Sequence, residues 1–183
     1  VKDILKDRDL IFFDYETTGI GDGSNNRPVQ LGAVRVRNGE VVDRFNLFMD
    51  PQEPLSEWSR ENLVDGDGNP LTDDFLQQQM GLAEAHSQFI DWMGPNPIIG
   101  AHNLPFDREV LERIASEENL SFAPDGYIDT LRLSRDVVKK KSKKNPEGTE
   151  GHRLGQLLEH YGVEIENWHS ADADAASAAG LFN

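Results

Sequence analysis

The chain has 183 residues, no cysteine and a formal net charge of −15. That length suits one domain, residues 1–183, able to bury about 70% of its unfolded surface without covalent staples; the lack of cysteine excludes disulfides, zinc–thiolate centres and thiol catalysis. The acid excess argues against a binder of long duplexes. No stretch approaches the ~18 apolar residues of a membrane span and the charged start does not read as a leader, so a cytoplasmic protein without membrane contact is expected.

In chain order, Leu10–Tyr15 is an apolar run rich in aromatics and reads as a strand. Val29–Val36 and Val41–Phe48 read as two more. Arg37-Asn38-Gly39-Glu40 between them carries Asn-Gly, the pair favoured in two-residue hairpins. Residues 50–80 read as irregular. Within them Asp65-Gly66-Asp67-Gly68-Asn69-Pro70 is turn chemistry; a calcium loop would need Glu at its twelfth position, where Leu76 stands. Leu82–Met93 reads as a helix with Leu82, Ala85, Phe89 and Met93 on one stripe, and Pro95 and Pro97 end it. Ile98–Ala101 is a short apolar strand. Asn103 is expected to cap the next helix, with Pro105 in its first turn and Phe106, Val110 and Ile114 as its apolar stripe. Gly126–Leu133 reads as a strand running into a helix, and Lys139–Lys144 as a basic surface loop. Leu154, Leu157, Leu158 and Tyr161 make an amphipathic helix stopped by Gly162, and an alanine-rich helix follows from about Ser170. His86 reads as a surface residue, His102 as a neighbour of a motif, and His152 and His160 as flanks of a helix. The order suggests an α/β sheet, with an antiparallel hairpin on one side and crossover-connected parallel strands on the other.

Four segments carry chemistry. Alternate residues of a strand share a face, so Asp14 and Glu16 follow Leu10 and Phe12 on one face at the carboxyl end of the first strand. Two acids there are poorly placed for a core, and open α/β sheets bind ligands beyond such strand ends. Asp107 falls in the first turn of a helix, where the dipole favours a carboxylate. His169 and Asp174 lie five residues apart at the start of the last helix. Taken singly, each has a bland explanation.

Together they resemble one family. Phe13-Asp14-Tyr15-Glu16-Thr17-Thr18-Gly19, Ala101-His102-Asn103-Leu104-Pro105-Phe106-Asp107, and the His169–Asp174 spacing resemble, in order, the three motifs of the DEDDh 3′→5′ exonuclease superfamily. Gln30–Val34, Ile128–Leu131 and His152-Arg153-Leu154 are similar to the family as well; residues 56–80 and the lysine loop fit it least. The resemblance implies a ribonuclease-H-like mixed five-stranded sheet with helices on both faces. It implies a two-metal exonuclease that uses Mg²⁺ or Mn²⁺, hard cations that prefer carboxylate oxygen. Asp14 would hold both ions, Glu16 and Asp174 the first, and Asp107 the second. His169 would take the proton from the attacking water. Thr17, Thr18, Asn103 and Phe106 are candidates for holding substrate, and Tyr15, Phe106 and Trp168 for stacking on bases. The expected substrate is a nucleic-acid 3′ end, with single-stranded DNA preferred and RNA the alternative. The expected product is a nucleoside monophosphate, and the expected partner a polymerase or other replication protein. A rival is the same fold kept as a non-catalytic acidic module of a polymerase assembly. Lys139–Lys144 would give a local positive contact or serve as a solvated loop.

Overall fold

The structure, a computed structural model, describes residues 5, 8–19, 26–143, 145–162 and 171–182. Its frame is a mixed sheet in the order β4-β3-β2-β1-β5-β6. Strands β1 (Leu10–Thr17), β2 (Pro28–Arg37) and β3 (Glu40–Asp50) form the antiparallel part. Asn38 and Gly39 join β2 to β3 with φ of 53° and 87°, the left-handed pair that a two-residue hairpin loop needs. Strands β5 (Ile98–Ala101) and β6 (Gly126–Asp129) run parallel to β1. These are the five expected strands. The sixth, β4 (Met80–Gly81), is a two-residue addition parallel to the end of β3.

The stretch expected to be irregular holds two short helices, α1 (Glu57–Asn62) and α2 (Asp73–Leu76). Each begins where a hydroxyl accepts the orphan N–H three residues on, Ser56 from Ser59 and Thr72 from Phe75. They are too short to show a helical period. Leu55, Leu63, Leu71 and Leu76 hold them in place by packing around Val29. Asp65 closes the neighbouring turn by accepting from the N–H groups of Asp67 and Asn69.

Helices cover both faces. On one lie α3 (Leu82–Met93) and α4 (Leu104–Glu117), which bury Ala85, Phe89, Val110 and Ile114 against Ile11, Phe13, Leu31 and Ile99. Phe106 is only half-buried, so the inward stripe of α4 runs through Leu104, Asp107, Val110, Leu111 and Ile114 instead. On the other face lies α7 (Ala171–Phe182), whose Ala178 and Ala179 pack on Leu10, Phe12 and Val34. α5 (Thr130–Val137) follows β6 directly, and α6 (Leu154–Tyr161) ends at Gly162.

Gly32 sets the seat of α7. A Cβ at residue 32 would lie 2.0 Å from the backbone nitrogen of Asp172 and 2.2 Å from the carbonyl carbon of Ala171. No other amino acid allows the helix to rest there without moving. Gly32 pairs with Asp14 across the β1–β2 ladder, so the first turn of α7 is delivered to the site.

Candidate active site

The burial pattern of β1 changes where the chemistry begins. Leu10 to Phe13 are buried on both faces, whereas Asp14 and Glu16 are half-buried and the intervening Tyr15 stays in the core. The two acids project from the α7 face, where Asp174 meets them. One carboxylate oxygen from each of Asp14, Glu16 and Asp174 lies within 4.8 Å of the others. Asp107 enters from the first turn of α4, on the opposite side of the strand. It is 2% exposed, and its Oδ1 accepts the backbone N–H of Tyr15 at 3.0 Å. The residue between Asp14 and Glu16 therefore anchors the fourth carboxylate.

Electrostatics follow from that crowding. Burial, and then the charges of Asp107, Glu16 and Asp174, push the Asp14 carboxyl well above the usual range. Glu16 is pushed up to about 8 by burial, with Asp174 and Asp107 adding to the shift. Asp107 is also pushed up to about 8 by burial, against the lowering effect of the Tyr15 N–H and with Asp129 raising it further. Like charges this close cannot all ionise without a cation among them. An all-oxygen donor set of this kind suits Mg²⁺ or Mn²⁺. Beside it, opposite Glu16 in register, the buried Oε1 of Gln30 has no hydrogen-bond partner among the described residues, while its Nε2 donates to Asn46. These residues fit a divalent-cation site.

The remaining expected residues divide. Asp172 stands in the first turn of α7, two residues before Asp174. It is half-buried and accepts from Asn46 Nδ2 at 3.3 Å, because α7 sits down on Gly32. The Thr17 and Thr18 hydroxyls are buried and donate to the Gly19 carbonyl and to Glu53, so neither is directed at a ligand. Asn103 is exposed at the start of α4, but it makes no side-chain cap. Its backbone is left-handed (φ 74°) and its N–H donates to Asp129 Oδ1 at 3.2 Å. Phe106 is half-buried against the core, and Tyr15 lies in it. His169, Trp168 and Lys144 lie outside the described residues.

Two positions escaped the sequence reading. His86 is fully buried rather than on the surface. Its Nδ1 donates to the Leu82 carbonyl (2.8 Å) and its Nε2 accepts from the Tyr15 hydroxyl (2.9 Å), and burial lowers its pKa to about 4. The signal was available, since residue 86 is one turn on from Leu82 in the inward stripe. Asp129 is the other. Its Oδ1 accepts from the N–H groups of Asn103, Leu131 and Arg132, tying the entry of α4 to that of α5 and so fixing the turn that presents Asp107. An acid between a strand and a helix is a capping signal, but only the fold shows that it also reaches Asn103.

Residues 11–182 match the RNase_T family, described as exonuclease. The chain is 36% identical over 181 residues to the DNA polymerase III PolC-type protein of Staphylococcus aureus (strain bovine RF122 / ET3-1). The match takes in 98% of this chain and 11% of that protein. The chain thus spans about a tenth of the length of the curated relatives it matches. Among solved structures, the zinc-bound E. coli ExoI–ssDNA complex superposes with a TM-score of 0.75 at 20% identity, over 95% of this chain and 39% of that one. Exonuclease I from Methylocaldum szegediense superposes with a TM-score of 0.67 at 19% identity, over 95% and 39%. At those identities the likeness is one of fold: the ribonuclease-H-like α/β sheet.

Proposed function

Because the chain belongs to the exonuclease family, with the DEDDh pattern of site residues, we propose that residues 1–183 act as one domain. It would remove nucleoside monophosphates from the 3′ end of single-stranded DNA in the cytoplasm. The observation that carries this is the convergence of the Asp14, Glu16 and Asp174 oxygens within 4.8 Å, with Asp107 anchored on the strand between them. Asp14, Glu16 and Asp174 would hold one Mg²⁺ or Mn²⁺, and Asp14 and Asp107 a second. Bound there, the cations would supply positive charge to an anionic phosphodiester and its leaving oxygen.

The rest falls to the chain. The carboxylates, fixed by β1, α4 and α7, would hold the cations that neutralise the terminal phosphodiester where it faces the attacking water. His169, five residues before Asp174, takes that water's proton as its oxygen bonds to phosphorus. The 3′-oxygen of the penultimate nucleotide leaves, releasing a nucleoside 5′-monophosphate. Asp129 keeps Asp107 in position through the Asn103 backbone. DNA is preferred over RNA because the curated relatives are DNA polymerase III PolC-type proteins; the same likeness favours a replicative polymerase as partner. Exoribonuclease activity is the alternative.

The test uses 5′-labelled DNA and RNA oligonucleotides with Mg²⁺, Mn²⁺ or EDTA. We expect ladders shortening from the 3′ end with either metal, faster on DNA, and no cleavage in EDTA. Faster RNA cleavage would select the exoribonuclease. Full activity in EDTA, or none with any metal, would overturn the mechanism; the latter would favour a non-catalytic module.

A further inference from the structure

The net charge of −15 conceals an uneven distribution of cations. From Arg8 to Arg113, every described lysine or arginine except Arg44 forms an ion pair with a carboxylate. Beyond them the pattern reverses. Arg132, Arg135, Lys139, Lys140, Lys143 and Arg153 form no ion pair with another described residue; in this stretch only Lys141 does, with Glu150 at 2.9 Å.

Four of these cations line one cleft. Arg135, at the end of α5, Lys139 and Lys140, in the following loop, and Arg153, before α6, surround a space of about 1080 Å³. All four are exposed. The one acid among the described residues of its lining, Glu150, is the group that Lys141 neutralises. One of the two histidines in its wall feels the surplus: burial, and then the charges of Lys140 and Arg135, lower the pKa of His152. The cleft adjoins the helix that carries one of the site carboxylates. Asn103 lines it, and the helix that Asn103 opens carries Asp107 in its first turn.

Cations left unpaired together, in a protein with acid to spare, indicate an anion from outside the chain. We propose that this cleft holds the sugar–phosphate backbone of the single strand being shortened, at phosphates on the 5′ side of the one being cut. This inference rests on the exonuclease reading above. It explains how an acidic protein grips its substrate: the carboxylates with their cations hold the terminus, and a separate cationic cleft holds the strand behind it. A polyanion that repeats its charge along a strand matches cations distributed along a cleft better than a point anion does.

The experiment measures binding of 5′-fluorescein dT3 and dT15 by fluorescence anisotropy in CaCl₂, across a salt series, for wild type and for Arg135→Ala/Lys139→Ala/Lys140→Ala. Hydrolysis of dT15 is followed in parallel with MgCl₂. We expect the triple variant to bind dT15 on the order of tenfold more weakly or worse, with a smaller loss for dT3. Its salt slope should fall by about 2, since each single-strand phosphate contact contributes about 0.7. Lys139→Gln/Lys140→Gln should show a proportionate part of the loss, and Arg44→Ala none. Thermal melts establish that the variants are folded, as the replaced side chains are exposed. Binding of dT15 within twofold of wild type with an unchanged slope would overturn the proposal. So would polyglutamate binding as tightly as dT15 and competing for the cleft, which would point to an acidic protein segment instead. Wild type that binds dT15 through these cations yet never shortens it would support the cleft and overturn the exonuclease reading.

Discussion

Two aspartates two positions apart in the same helical turn, Asp172 and Asp174, have different surroundings. Successive residues turn by ~100° on a helix, so both cannot reach one site. Asp174 meets Asp14 and Glu16, and Asp172 meets Asn46. Asp174→Asn is expected to abolish metal-dependent cleavage and weaken Mn²⁺ binding measured by calorimetry. Asp172→Ala should keep most activity and lose about 1 kcal/mol of stability, the net worth of one hydrogen bond. A dead Asp172 variant beside an active Asp174 variant would reverse this assignment. His169→Ala should lower kcat by ~10²–10⁴-fold with little change in substrate affinity, as loss of a general base does; a change under about threefold would assign the proton to another group. At this scale the four acids were legible through the three motifs that resemble the exonuclease family, since each taken singly had a bland explanation. The bonds between motifs were not. Nothing in the sequence states that Asp107 accepts from the Tyr15 backbone, that Asp129 accepts from Asn103, or that His86 pairs with the Tyr15 hydroxyl.

Among the elements, α7 depends most on the exclusion of side-chain volume beneath it. Its inward residues are all small, Ala171, Ala175, Ser177, Ala178 and Ala179, and Gly32 lies under its first turn. Gly32→Val would force α7 off the sheet. Overpacking of this kind costs about 1–3 kcal/mol. Displacing Asp174 by even about 1 Å should lower cleavage ~100-fold. Melting curves and initial rates check both; a variant with wild-type rate would show that α7 reaches Asp174 into the site from some other seat. The long elements were legible from their patterns, the apolar aromatic run of β1 and the Leu82–Ala85–Phe89–Met93 stripe in α3. Helices α1 and α2 were not, because six- and four-residue helices complete too few turns to display a period. Their existence depends on leucines converging from separate positions around Val29.

For the molecule as a whole, the crowded carboxyls are a source of instability that a bound cation would relieve. A carboxyl whose pKa is higher in the fold than in the unfolded chain contributes stability that is complete below its unfolded pKa. That contribution is lost as the pH rises through its folded pKa. Glu16 and Asp107 are both pushed up to about 8, from ordinary values of 4.5 and 3.8. In EDTA the melting temperature should therefore fall as the pH rises from about 4 to about 8. Mn²⁺ should recover most of the loss at the upper end, and Asp14→Asn should flatten the slope by removing one of the repelling charges. A melting temperature independent of pH in EDTA would show that water, rather than protons, relieves the crowding.

The carboxylates also come from widely separated parts of the chain: β1, the start of α4 and the first turn of α7. During synthesis the sheet can begin to form while residue 174 is still inside the ribosome. A chain at that stage has Asp14, Glu16 and Asp107 but nothing to complete the set, and a chain whose last helix has come loose is in the same condition. On the proposed reading, cutting would therefore wait until residues 171–182 have docked, and a copy in which they have not, or have frayed away, would be harmless to the nucleic acid around it with no inhibitor needed to restrain it.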